Sequence, residues 1–275
     1  MIPAHLVEKL PLIADGAPGD LLRARHPKVA GPVEAFNLRR PEWVRAAHGA
    51  YFQAGARVLR TNSAHANEVA LGIHGLEERC EAINNSATAL LRAAVGQQAL
   101  VMGAIAEIRS AALPVRERAY GQQIVYLADT GVDFIVLEDC SSAAEASLVR
   151  RLAREAGDAP LLALLTVDAS GRTADGMTLR EGVQSLADSG VDAAGAVFPP
   201  QAELPPLVAL AVEVGLPTAV FLGGNPTDPM PPETFAAKLG PLAEMGVVVL
   251  GGGAGVGPGH VEALVQWIRA GNSGK

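Results

Sequence analysis

Eight short apolar runs, many of them rich in β-branched residues, recur along this chain and set what it can fold into. They are Leu12–Asp15, Arg57–Thr61, Leu100–Ile105, Asp133–Glu138, Leu161–Thr166, Ala193–Phe198, Thr218–Leu222 and Val247–Gly251. The runs lack strict alternation of apolar and polar residues, the pattern of strands buried on both faces of a parallel sheet. Segments with helical spacing separate them, among them Pro41–Ala54, Leu76–Val95, Val115–Thr130 and Pro232–Met245. Strand and helix alternating eight times predict an α/β fold, a single (β/α)8 TIM barrel. The expected domain is the whole of residues 1–275, with a barrel core over roughly 12–270. Gly55, Gly131, Gly190 and Gly246 each fall between a helical segment and the next run. That is where a helix C-terminus favours a positive φ. An open, doubly wound sheet needs a similar pattern and is the alternative.

Composition narrows the function classes. The chain is 49% hydrophobic and 19% charged, with a formal charge of −7. This is enough apolar material for a large core, and the acidic balance gives no electrostatic reason to bind nucleic acid or anionic lipid. The start, MIPAHLVEKLPLIADG, lacks a basic segment followed by a long apolar one, and no apolar stretch reaches membrane-spanning length. The two cysteines, Cys80 and Cys140, suggest a reducing compartment. A cytoplasmic enzyme with a small-molecule substrate is expected, with no nucleic-acid or membrane partner; a homo-oligomer is left open.

Chemistry in such barrels sits at the C-terminal ends of the strands. The residues there are Asp15-Gly16-Ala17, Thr61-Asn62-Ser63 with His65, Glu107, Glu138-Asp139-Cys140, Thr166 with Asp168, Val197-Phe198, Gly223-Gly224-Asn225 and Gly251-Gly252-Gly253-Ala254-Gly255. None of the four lysines, Lys9, Lys28, Lys238 and Lys275, follows a strand, which argues against Schiff-base chemistry. Carboxylates suitable for glycoside hydrolysis are present, but aromatic sugar platforms are not. The last glycine run reads either as a phosphate cradle or as a tight turn, and no Lys or Arg flanks it. A metal would have to use His65, Cys140 and a carboxylate, without any paired ligand spacing.

In order and spacing these segments resemble the homocysteine S-methyltransferase family over roughly residues 12 to 270. Asp15-Gly16-Ala17-Pro18-Gly19 is similar to its opening DGAxG, and Glu34-Ala35-Phe36-Asn37-Leu38 with Pro41-Glu42-Trp43-Val44 to its E-x-x-N-L…P-E-x-V stretch. Tyr51-Phe52-Gln53-Ala54-Gly55-Ala56, Thr61-Asn62-Ser63 and Asn67 follow its Y-x-x-A-G-A…T-N-T…A-N. Gly131-Val132-Asp133 with Glu138, Gly171-Arg172, Asp175-Gly176, Gly190-Val191-Asp192-Ala193 and Gly251-Gly252 with Pro258 and His260 continue the series. The resemblance implies methyl transfer. It also implies a zinc ion held by three cysteines, one after strand 6 in G-x-N-C and two after strand 8 in G-G-C-C-G. Here Gly195-Ala196-Val197-Phe198 puts Phe198 at the first position, and Gly251-Gly252-Gly253-Ala254-Gly255 puts Gly253 and Ala254 at the other two. A phenyl ring, a hydrogen and a methyl group cannot ligate zinc.

Two readings follow. In one, the chain is a zinc-independent methyltransferase for an acceptor other than a zinc-bound thiolate. Asp15, Asn62 and Glu138 would orient a polar, cationic or amino-bearing molecule, and Glu138 or Asp139 would be the general base. Phe198 would form an apolar wall. Gly16, Ala17, Thr61, His65, Asn225, Gly252 and Gly253 complete the expected substrate site. The methyl donor would be a small molecule, or methylcobalamin or methyltetrahydrofolate supplied by a corrinoid- or folate-binding partner. In the other reading, the chain is a catalytically silent relative that binds a small molecule or a partner protein.

Overall fold

The computed structural model describes residues 11–272. The strands are β1 (Leu12–Ile13), β2 (Val58–Arg60), β3 (Leu100–Ala106), β4 (Phe134–Cys140), β5 (Leu161–Thr166), β6 (Ala193–Phe198), β7 (Thr218–Leu222) and β8 (Val249–Gly252). Helices α1 (Pro18–Arg25), α2 (Phe36–Arg39) and α3 (Pro41–Gln53) lie between β1 and β2, and α4 (Glu68–Gly72) and α5 (Cys80–Val95) between β2 and β3. Then α6 (Leu113–Asp129), α7 (Ala143–Glu155), α8 (Leu179–Asp188), α9 (Leu204–Val212) and α10 (Pro232–Leu239) each follow one strand, and α11 (Pro258–Asn272) follows β8.

All pairings are parallel, in the order β1-β8-β7-β6-β5-β4-β3-β2. A parallel bridge between Ala14 and Val58 closes the ring, with Arg57 N–H donating to the Ile13 carbonyl at 2.7 Å and Asp15 N–H to the Val58 carbonyl at 3.0 Å. This is the (β/α)8 barrel expected from the sequence.

Alternate residues of each strand fill two separate apolar regions. Leu12, Val58, Met102, Val136, Leu164 and Phe221 fill the barrel interior. Their neighbours, such as Leu59, Leu137, Leu165 and Leu250, pack outward against the helices. Phe221 is accommodated by Gly251 on the adjacent strand, where a Cβ would lie 2.6 Å from its ring. Towards the C-terminal rim the interior turns polar or small, with Arg60, Glu138, Thr166 and Gly253 continuing the inward phase and leaving room for a cavity.

Some boundaries differ from expectation. The helix expected over Pro232–Met245 ends at Leu239 and gives way to a 3₁₀ turn at Gly240–Glu244, because Pro241 has no N–H to continue it. Gly240 also lets the Trp267 ring approach to 2.2 Å from where a Cβ would be. Helix α11 runs to Asn272; residues 273–275 lie outside the described residues, as do residues 1–10 of the segment read for a leader. No helix among the described residues is long and apolar enough to cross a membrane.

His48, on the buried face of α3, is wholly inaccessible, and neither ring nitrogen has a hydrogen-bond partner among the described residues. Burial pushes its pKa down to about 4. Between the ordinary value near 6.5 and that value the unfolded chain binds the proton and the folded chain resists it. Its contribution to stability is therefore intact above pH 6.5 and is lost as the pH falls towards 4. We expect wild type to lose about 2 kcal/mol more than His48→Leu between pH 7.5 and pH 5, read as urea midpoints. Equal losses would contradict the burial argument.

Candidate active site

Asp15, Arg60 and Glu138 make the polar floor of the barrel. Asp15, two residues past the end of β1, is fully buried. Its two carboxylate oxygens accept from the Arg60 main-chain N–H and from Arg60 Nε, each at 2.9 Å. Arg60 lies two residues after Val58 and shares its inward phase. One terminal nitrogen, Nη1, donates to Glu138 Oε1. The other, Nη2, donates to the carbonyls of Gly16 and Gly252, the latter at 2.6 Å. The guanidinium stands 5.1 Å from the centre of the Phe221 ring.

Two carboxylates thus share one cation. Burial pushes Asp15 up to about 6, Arg60 pulling it back and the Glu138 charge adding to the rise. For Arg60, burial lowers the pKa, but Glu138 and Asp15 more than offset this and hold it above its ordinary value.

Glu138 continues the inward phase of β4, and a bulge in the pairing with β5 falls at Glu138 and Asp139. On β4 Leu137 pairs with Ala163 and Cys140 with Leu165, so two residues of β4 face one of β5. Asp139 absorbs the irregularity with φ +54°, a conformation uncommon for a side-chain-bearing residue. Arg109 donates to the Asp139 carbonyl at 2.8 Å, and Glu107 holds the next turn through Ser141 N and Oγ, both at 2.7 Å. With the bulge, Asp139 follows Glu138 in lining the cavity. Desolvation, then the neighbouring Glu138 charge, push the Asp139 carboxyl above its ordinary range.

Above this floor is a cavity of about 550 Å³. Glu138, Asp139, Asn62, His65, Asp20, Glu34 and Arg23 are among its polar lining residues, and Val167, Val197, Pro199, Pro200 and Ala254 among its apolar ones. Ala17, Thr61, Phe198 and Gly253 also line it, whereas Asp15, Gly16, Gly252 and Asn225 do not.

Several expected roles change. Asp15 cannot orient a ligand directly, because it is sealed beneath Arg60; Gly16 and Gly252 contribute the carbonyls that hold that guanidinium. The side-chain amide of Asn62 donates to the Val33 carbonyl at 2.8 Å and to Asn37 Oδ1 at 2.9 Å, tying down the loop before α2. Thr61 Oγ1 accepts from Ala104 N–H at 3.0 Å and pins β2 to β3. Asn225 is exposed and caps its own turn, accepting from Thr227 N and Oγ1 at 3.0 and 2.8 Å. The Phe198 ring belongs to the layer between strands and helices, and Val197 is the residue of β6 in phase with the interior. Val197 therefore supplies the apolar wall expected of Phe198.

The glycine run is a turn and not a phosphate cradle. Gly252 N–H donates to the Asp15 carbonyl at 2.9 Å, Gly253 N–H to Leu222 at 3.0 Å and Gly255 N–H to Asp20 at 3.1 Å. Gly16 is required by close approach, since a Cβ there would sit 1.8 Å from the Val256 carbonyl oxygen.

The corner where a zinc ion would be expected, between the ends of β6 and β8, is made by Val197, Phe198, Gly223, Gly253 and Ala254. No side chain there can donate to a metal, so these residues do not fit one. Cys140 is buried in the outer layer, donates to the Ser142 carbonyl at 3.0 Å and is pushed up to about 12 by burial. His65 is exposed at the mouth, so the two do not combine into a relocated site. Among the described residues no group of three His, Cys, Asp or Glu is placed to hold a metal.

Sequence reasoning missed Arg60 altogether. The available signal was an arginine two residues after an inward valine, within an apolar run that must face the barrel interior.

A closed barrel with a carboxylate-bearing cavity at its C-terminal rim defines an enzyme-type α/β barrel. The family model for homocysteine S-methyltransferase matches residues 12–268, and the chain belongs to that family. Methionine synthase of Mycobacterium tuberculosis is 26% identical, covering 94% of this chain and 24% of that protein. The Mycobacterium leprae methionine synthase is 24% identical, covering 96% and 25%. The chain therefore spans about a quarter of the length of these relatives. The metallated homocysteine methyltransferase MmuM from Escherichia coli superposes with a TM-score of 0.75 at 22% identity, covering 95% of this chain and 98% of that one, a likeness of fold.

Proposed function

We propose that this barrel is a zinc-independent methyltransferase that binds a small acceptor in the rim cavity and uses Glu138 as general base. The observation that carries the reading is the placement of Glu138. One oxygen is held by Arg60, the side chain lines the cavity, and the cavity's corner at the ends of β6 and β8 is apolar and without metal donors. An acceptor X–H hydrogen-bonded to the other Glu138 oxygen is deprotonated as its X–C bond to the methyl carbon forms. The donor–methyl bond breaks and the donor leaves with that electron pair. Asp139, whose carboxyl burial and the neighbouring Glu138 charge push above its ordinary range, lines the cavity next to Glu138. The apolar corner, led by Val197, meets the methyl group. The acceptor is one that needs no zinc to become a nucleophile. The donor is a small methylated compound, or methylcobalamin or methyltetrahydrofolate presented by a partner protein.

The pairing of Asp15 and one Glu138 oxygen with Arg60 favours a second reading, a binding module in which the carboxylates serve structure. A panel of betaines, sulfonium compounds, methyltetrahydrofolate and methylcobalamin, offered with thiol and amine acceptors and read by mass, separates the two. Methylated product supports the enzyme, and saturable binding without product from any donor supports the module.

A further inference from the structure

We propose that Arg60 is the built-in occupant of a cation cage in the barrel floor, and that by filling it this residue sets specificity. With Arg60 in place the cavity refuses guanidinium- and ammonium-headed ligands at that point; without it the cage takes them. The inference rests on the rim cavity being the ligand site, not on methyl transfer.

Groups from three separate strand ends converge on this one guanidinium. Asp15 with the Gly16 carbonyl comes from the end of β1, Glu138 from the β4 bulge and the Gly252 carbonyl from the end of β8. Together they bind four of its five N–H groups. All these acceptors are negative or carry the negative end of a dipole, and Phe221 lies against the cation. Such a set is complementary to a planar cation whether or not that cation is tethered. The tether is only a strand-end side chain, and Arg60 itself forms part of the cavity surface. Removing the side chain would therefore open the cage to the cavity rather than leave a sealed void.

A ligand entering the wild-type cavity finds Asp15 beneath Arg60 and one Glu138 oxygen already bonded. Of the cage itself, what remains for it is the second Glu138 oxygen and the fifth Arg60 N–H. This is an acceptor beside a donor, suited to a neutral polar group and not to a free ammonium ion.

The test is binding of methylguanidinium, with ethylammonium as second probe, by calorimetry at millimolar concentration. It needs no turnover, so its failure is distinct from failure of the methyltransferase reading. Arg60→Ala should bind methylguanidinium at least about tenfold more tightly than wild type does. Adding Glu138→Gln should weaken that binding by about tenfold or more, the effect of losing one charged hydrogen-bond partner. If Arg60→Ala folds only when methylguanidinium is present, with its melting temperature rising with concentration, the proposal is supported in the same way. Wild type binding methylguanidinium as tightly as Arg60→Ala, or a folded Arg60→Ala that binds neither probe, would overturn it. So would an Arg60→Ala that stays unfolded at every probe concentration while Arg60→Ala/Asp15→Asn folds.

Discussion

Asp15→Ala is expected to lower stability by about 3–5 kcal/mol, the usual cost of stripping one partner from a buried ion pair. Two donors lose their acceptor, Arg60 Nε and the Arg60 main-chain N–H, each at 2.9 Å in the intact protein. Water cannot readily replace them, because Asp15 is fully buried. For a domain of this size the loss corresponds to a fall of roughly 6–20 °C in melting temperature. Asp15→Asn keeps the shape and one acceptor and should fall between alanine and wild type. A drop below about 1 kcal/mol for alanine would show that the Arg60 cluster is not what closes the floor. Asp15 also has its own pH signature. Its folded pKa is raised from 3.8 to about 6, so the folded chain holds the proton more tightly across that interval and stability falls as pH rises through it. This opposes the His48 effect, and so each must be read as a difference between variant and wild type.

Glu138→Gln should abolish most turnover while sparing the fold. The amide oxygen can still accept from Arg60 Nη1, the volume is unchanged, and Asp15 remains as counter-ion to Arg60. The base is gone, however, and a positioned general base contributes about 10²- to 10⁴-fold. The expected result in the donor panel is a fall in kcat of that size, with a folded protein whose melting temperature drops by only about 3–6 °C. Turnover within a factor of about two of wild type would remove Glu138 from the chemistry and shift attention to Asp139.

The sequence made the fold plain because the strands are apolar runs, and β5, β6 and β7 are each preceded by Pro or Asp. For β5, β6 and β7 even the end residues agree with the structure. The site was less legible, for two physical reasons. A parallel strand buried on both faces hides its phase. In Ala193–Phe198 all six residues are apolar or glycine, so nothing distinguishes inward Val197 from outward Phe198 until the barrel is closed. Polar side chains at strand ends also read alike whether they face a ligand or the protein. Asn225 caps its own turn, Asn62 fastens a loop and Asp15 serves Arg60, and those partners lie two, 25 and 45 residues away in sequence. Only the last depended on a clue in plain view, an arginine at an inward position of an apolar strand.

The account turns on a family barrel whose metal corner is built of Val197, Phe198, Gly223, Gly253 and Ala254. Elemental analysis of protein purified with zinc in every buffer, then dialysed, tests this most directly. The account predicts far less than one zinc per chain and methyl transfer unaffected by a chelator. One zinc held per chain through dialysis, with activity lost on its removal, would contradict it.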